Sequence, residues 1–231
     1  MGVVPAADLR TLDVARAKGL SLARFPVPSG RITGLFSSTE QVSEWEPERK
    51  VIVAAQTGDL DALSTLYDSH INQVYRYALA RLMNVPDAED VAEEIFLKML
   101  SGLPGYEWRR VPFAAWLMRI ARNEVASFQR RSGRRPQTEL TEEIEDRHNG
   151  DIVETTERVM ALEDLRVAVG QLPEAQRDVI TLRFAAGLSV ADTAKALGKR
   201  ENNVKVLQHK GMQKLQVLMA PKYPELSQRQ A

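Results

Sequence analysis

No cysteine occurs in this 231-residue chain, and there are only three histidines. The first absence excludes disulfides, thiolate metal sites and cysteine nucleophiles. An excess of charge of one sign is also lacking, because 31 basic and 31 acidic side chains cancel. That excludes binding by bulk charge, although it leaves room for a local basic surface. No apolar run approaches the ~18 residues that a membrane span needs. The N-terminal "MGVVPAADLRTLDVARAKGL" lacks the basic start and continuous apolar block of a signal peptide. Ala6 stands where a myristoylation signal requires a small hydroxyl residue. These absences predict a soluble, cytoplasmic protein without membrane insertion. Gly-rich phosphate loops, nucleophile elbows and metal-ligand clusters are missing too, which predicts no catalytic residue, no metal, no cofactor and no enzyme.

What is present is helical periodicity. With 44% apolar residues, the chain can bury one large or two small cores. Residues 1–46 read as a poorly ordered extension, with Pro, Gly and Ser clustered in "RFPVPSGRITGLFSSTE" and a short helix possible over Leu9 to Ala23. From 47 to 135 the apolar residues recur at three- and four-residue spacings: Leu60, Leu63, Leu66, Tyr67, then Ile71, Val74, Tyr75, Ala78, Leu79 and Leu82. "NVPDAED" interrupts that stripe, and Pro86 with Asp87, Glu89 and Asp90 suits the first turn of a new helix. Residues 136–157 are acidic and aperiodic, the composition of a flexible linker. Order resumes near Arg158, and 158–220 divides into helices separated by glycines, followed by a tail over 221–231. No stretch alternates as a strand does. The fold class predicted is all-α: two small helical domains joined by an acidic tether.

In the second domain, "LRFAAGLSVADTAKALGKRENNVKVLQHKG" carries the punctuation of a helix-turn-helix. Ser189 is a natural N-cap with Asp192 three residues on, and Gly198 suits a left-handed helix end. Val204, Leu207 and Leu215 are predicted to face inward. Arg200, Asn202, Asn203, Lys205, Gln208, His209 and Lys210 are predicted on the outer face, where amides can pair with adenine edges and cations with phosphates and guanines.

In the first domain, "WLMRIARNEVASFQRRSGRR" is rich in arginine. Numbered from Phe113, the helix has Phe113, Leu117, Ile120 and Phe128 on one side. Arg119, Arg122, Asn123, Gln129 and Arg130 share the other. Tyr106, Trp108, Arg109 and Arg110 precede it in a Gly/Pro loop. Cations beside rings are the chemistry of single-stranded nucleic acid. Phe113 and Trp116 read as core, whereas Tyr106 and Trp108 are open to either role. The acidic run "DAEDVAEE" admits three readings: a metal site, compensation of the helix dipole, or a docking face for a basic partner. It has no accompanying histidine, and the chain's one ExxH pattern, Glu145 to His148, falls in the tether.

Together, "LYDSHINQVYRYALARL", "DAEDVAEEIFLKML", "FAAWLMRIARNEV" and "LPEAQRDVITLRFAAGLSVADTAKALGKRENNVK" resemble bacterial RNA polymerase sigma factors of the extracytoplasmic-function (ECF) type in the sigma-70 family. The resemblance covers about 47–135 as region 2 and 158–218 as region 4. It implies a protein that binds RNA polymerase core, directs it to specific promoters and helps to melt the minus-ten element. The polymerase contacts implied are the beta-prime clamp helices and the beta flap. Asp87, Asp90, Glu93 and Glu94 fall in the segment facing the clamp helices. The loop from Tyr106 through Val111 and the helix from Trp116 fall where the non-template strand is held. Arg200 to Lys210 fall against the minus-thirty-five duplex. The tether matches a linker that threads towards the RNA exit path, and an anti-sigma factor is a further implied partner. This chain departs from the family's usual residues at Ser127, at Arg200 to Asn203, and at Val206 and Leu207. A promoter sequence therefore cannot be carried over from relatives. The extension over 1–46 is also atypical, and reads as a regulatory segment, a processed segment or an early start. The rival expectation is a stand-alone helix-turn-helix regulator with an N-terminal sensing or partner-binding domain.

Overall fold

The computed structural model describes residues 45–108, 111–133 and 152–224, and among them every regular element is helical. In chain order these are α1 (Trp45–Gln56), α2 (Leu60–Leu82), α3 (Val85–Gly102), a short 3-10 turn (Leu103–Gly105) and α4 (Phe113–Arg131). Then come α5 (Ile152–Gly170), α6 (Glu174–Ile180) running on as a π-helical turn (Thr181–Ala185), α7 (Val190–Leu197) and α8 (Glu201–Met219). Residues 1–44 of the extension read over 1–46, and the Glu145–His148 pattern, lie outside the described residues, while Trp45 and Glu46 open α1. Helix α5 begins at Ile152, inside the segment read as tether, because acidic composition favours a helix N-terminus as readily as a solvated coil.

Local chemistry sets the helix ends. Asp59 caps α2, its Oδ1 accepting from the backbone of Asp61 at 2.9 Å and Ala62 at 3.1 Å. Asn84 caps α3 by accepting from the Asp87 N–H at 2.8 Å, with Pro86 in the first turn where no N–H is missed. Ser189 caps α7 at 3.0 Å from the Asp192 N–H. Gly198 ends that helix at φ 62°, ψ 33°, a left-handed conformation that costs a residue without Cβ little.

The first module is built on α2, α3 and α4. Val74, Ala78, Ala88, Ala92, Ile95, Leu117, Ala121 and Val125 are fully enclosed between them, and the alanines let the axes approach closely. Each large aliphatic side chain in such a core contributes roughly 1.5–3 kcal/mol. The buried stripe of α4 runs through Leu117, Met118, Ala121, Glu124 and Val125. It differs from the predicted one, since Ile120 and Phe128 are half-buried. Both still pack against the core, whose contact with α4 is broad because α2, α3 and α7 all lie against that helix. In the second module, Ala168, Val169, Leu172, Ile180, Leu215 and Met219 form one cluster, and Val179, Ala194 and Val204 another. Gly211 allows α8 to lie on α6: a Cβ there would stand 2.9 Å from Ile180 Cγ1.

The two modules share a core. The cluster centred on α2 to α4 continues into Leu182, Leu188, Ala186 and Ala196 of the second module. Gln73 Nε2 donates to the Ala186 carbonyl at 2.6 Å. Both predicted helical domains are present, and in the described conformation apolar surface on α2 and α4 is covered by the π-turn and α7. A sequence pattern shows that a face is apolar, not which element covers it.

Candidate nucleic-acid interface and docking faces

The outward face of α3 is acidic. Asp90, Glu93 and Glu94 are exposed, as is Leu97 beside them, while Ala88, Val91, Ala92, Ile95 and Phe96 fill the inner side. Asp87 is half-buried at the capped N-terminus, so its placement serves the first turn, and the exposed acidic surface starts at Asp90. Burial, together with the Glu93 charge, pushes the nearby Tyr67 phenol up to about 12.

Helix α4 presents a second, basic face. Arg119, Asn123 and Arg130 are exposed, and Arg130 Nη2 donates to Ser127 Oγ at 2.9 Å. Gln129 is half-buried, its Nε2 donating to the Arg81 carbonyl at 3.2 Å. Arg122 departs from the expectation. Its Nε donates to Asp178 Oδ2 at 2.7 Å, and Asp178, on α6, is buried. Burial works against the Arg122 charge, but the Asp178 hydrogen bond and charge together raise its pKa above the ordinary guanidinium value.

The aromatic loop also needs correcting. Tyr106 is buried at 7% exposure, its hydroxyl donating to the Val111 carbonyl at 2.9 Å. Its ring packs on Phe113 at 5.5 Å and Trp116 at 4.9 Å. Gln56 Nε2 donates to the carbonyls of Leu103 and Tyr106, which fastens the loop to α1. Tyr106 is therefore part of the core, and burial pushes its phenol up. Trp108 stands edge-on to Tyr106 at 6.3 Å and is half-buried. Arg109 and Arg110 lie outside the described residues.

On α8, Arg200, Asn202, Asn203, Lys205, His209 and Lys210 are exposed together, with Val204, Gly211 and Leu215 on the buried side. Gln208 is a further correction. It is half-buried, its Oε1 accepting from Arg183 Nε at 3.0 Å, and Arg183 also donates to the Leu188 carbonyl. It locks the helix-turn-helix and leaves the outer face to its neighbours.

Three charged residues escaped the sequence reading. Arg81 and Asp178 are each 3% exposed and paired at 2.6 Å across the module boundary. Glu124 is 2% exposed on α4, accepting from Lys98 and, at 3.0 Å, from Arg131. Burial tends to raise the Glu124 pKa, but the two hydrogen bonds prevail and hold it below the usual carboxylate range. The signal available was a charge inside an apolar stripe, which marks a paired buried group.

The family models for Sigma-70 region 2 and Sigma-70, region 4 match residues 66–135 and 162–215. The ECF RNA polymerase sigma factor BldN of Streptomyces coelicolor is 34% identical over 175 residues, spanning 74% of this chain and 65% of that protein. The ECF RNA polymerase sigma factor SigD of Mycobacterium tuberculosis is 32% identical over 194 residues, spanning 80% of this chain and 90% of SigD. Among solved structures, CnrH in complex with the cytosolic domain of CnrY has a similar fold, with TM-score 0.59 and 22% identity over 75% of this chain and 97% of that one. The sigma factor RpoE bound to the anti-sigma factor NepR, from Bartonella quintana, gives TM-score 0.54 and 23% identity over 68% of this chain and 95% of that one. The chain, with both regions in order and a relative matched over nearly its whole length, belongs to the ECF RNA polymerase sigma factors of the sigma-70 family.

Proposed function

We propose that this chain recruits RNA polymerase core to specific promoters through three separate faces. Asp90, Glu93 and Glu94 on α3 dock a basic surface of the polymerase clamp. Arg119, Asn123 and Arg130 on α4, with Arg122 once released, track the phosphates of the opened minus-ten strand. Extruding a base costs a few kcal/mol, and a cationic track beside it offsets that cost. The exposed side chains of α8 read the minus-thirty-five duplex. The chain performs no bond chemistry itself, since RNA synthesis belongs to the polymerase.

The observation that carries this reading is the sorting of charge in a chain of zero net charge. An acidic face lies on α3, while basic and amide faces lie on α4 and α8. Charges arranged in this way steer a protein surface and a nucleic acid to different places on one small molecule. Arg122 is occupied by Asp178 in the described conformation, so strand engagement at that position requires the two modules to part. The anti-sigma factor NepR accompanies the similar fold of RpoE, and the cytosolic domain of CnrY accompanies CnrH; a partner of the NepR kind, holding the modules together, suits this chain. Among the described residues no helix is long and apolar enough to cross a membrane.

The test mixes the full chain with purified core polymerase and a fork template carrying a melted minus-ten segment. Co-elution with core and transcript initiation are expected. A chain that does neither is not acting as a sigma factor, whatever its sequence likeness.

A further inference from the structure

From Glu201 to Lys210, the exposed positions of α8 are polar or charged with one exception. Val206 is 51% exposed. It fills no gap in the core, because Val204, Gly211 and Leu215 already occupy the buried side. Lying two residues beyond Val204, it is about 200° round the helix and so at the middle of the outward face. Asn202 stands one turn before it and His209 about one turn after, and both are exposed. Exposed Lys205 and Lys210 flank it. A β-branched residue at an exposed helix position does not help the helix either.

These surroundings define the occupant. A protein or lipid surface would be met by several contiguous apolar side chains. Here a single isopropyl group is set among amides and ammonium groups. Duplex DNA matches that combination, offering phosphates to the cations and adenine edges to the amides. The one apolar feature of its major groove is the thymine C5 methyl.

We propose that Val206 is a specificity-determining residue that packs against a thymine C5 methyl in the major groove of the upstream promoter element. The inference rests on the reading of α8 as the reader of that duplex, and adds which base is read and by what contact. Val206 has no donor or acceptor, so its discrimination must come from the methyl group itself. Thymine is preferred over uracil in the same base pair, with Asn202 one helical turn away placed for a nearby adenine.

The experiment uses holoenzyme reconstituted from the full chain and core polymerase. Bound duplexes are selected from a library randomised across both promoter elements, and each thymine of the upstream element is then replaced singly by deoxyuridine. Removing the one contacted methyl is expected to weaken wild-type binding about fourfold, the effect of one buried methyl-sized group. In Val206→Ala the same replacement is expected to have no effect, while thermal unfolding stays at or slightly above the wild-type value, because the site is exposed and alanine favours the helix. Equal binding at every deoxyuridine position, or an undiminished penalty in Val206→Ala, overturns the proposal. Failure to enrich any upstream sequence overturns the reading of α8 on which it rests.

Discussion

Arg122 Nε lies 2.7 Å from Asp178 Oδ2, so a guanidinium from the basic face of α4 is neutralised by a carboxylate of the second module. The other oxygen of Asp178 accepts from the fully enclosed Arg81 at 2.6 Å. One buried acid therefore holds two cations, both from the first module. Such pairs specify an arrangement more than they stabilise it, because desolvation offsets much of the attraction. Removing one partner is a different matter, since it strands the other charge.

Asp178→Asn is accordingly expected to weaken the junction by several kcal/mol, with about 3–5 kcal/mol typical when a buried pair loses one member. The modules should separate while each keeps its helices. Small-angle scattering should show a larger radius of gyration at unchanged helical circular dichroism. An unchanged radius would mean that the apolar contacts around Leu182 and Ala186 suffice to hold the modules together.

The acidic face of α3 gives a test of docking independent of the junction. Asp90 and Glu94 are exposed and make no part of the core. Reversing both to Lys is expected to weaken polymerase core binding at least tenfold, chiefly in association rate at low salt, where steering is strongest. Thermal unfolding should move little. Affinity that is the same for the reversed and native proteins would remove the docking role from this face.

How much of this was legible beforehand depended on how local the governing physics is. Pro86 with Asp87, and Ser189 with Gly198, declare helix ends through neighbours within a few residues, and the structure has those ends in place. The outward set on α8 could be read as well, because one helix buries one side. Tyr106 and Arg122 could not. A tyrosine in a Gly/Pro loop looks exposed until α1 reaches across with Gln56. A helical arginine looks solvated until a carboxylate 56 positions later meets it. Gln208, four residues after Val204 and three before Gly211, lies towards the inner side by spacing alone; its polar type concealed this, and Arg183 meets it there. Contacts between distant segments are invisible to spacing. A charge lodged in an apolar stripe, as at Arg81 and Glu124, is the trace they leave.

Glu124 makes the stability of the first module depend on pH. Its carboxyl is held below the usual range by Lys98 and Arg131 despite burial. A depressed folded pKa contributes stability that is present above the unfolded value of about 4.3 and is lost as pH falls through the folded one. Urea unfolding at a series of pH values should show the wild type losing stability below about pH 4. Glu124→Gln should be less stable at neutral pH by about 1–3 kcal/mol, because a charge-assisted acceptor is lost from a buried site. The difference between the two proteins should shrink as the solution is acidified. A gap that stays constant with pH would show that the carboxylate charge is not what matters.

The correction at Tyr106 and the exposure of Arg119 can be separated by one pair of variants. Tyr106→Phe keeps the ring against Phe113 and Trp116 and loses only the hydrogen bond to the Val111 carbonyl. That bond is worth about 1 kcal/mol of stability. Since the ring is enclosed, promoter opening should proceed at the wild-type rate in holoenzyme. Arg119→Ala removes a cation that packs on nothing in the core, so stability should be unchanged within about 0.5 kcal/mol. Opening should nevertheless slow severalfold, and the salt dependence of opening should become shallower as one phosphate contact is lost. A fluorescent base in the minus-ten segment reports the rate directly. If Tyr106→Phe slows opening as much as Arg119→Ala, the phenol contributes to strand capture and must leave the core to do so. If neither does, the basic face of α4 does not lie along the strand.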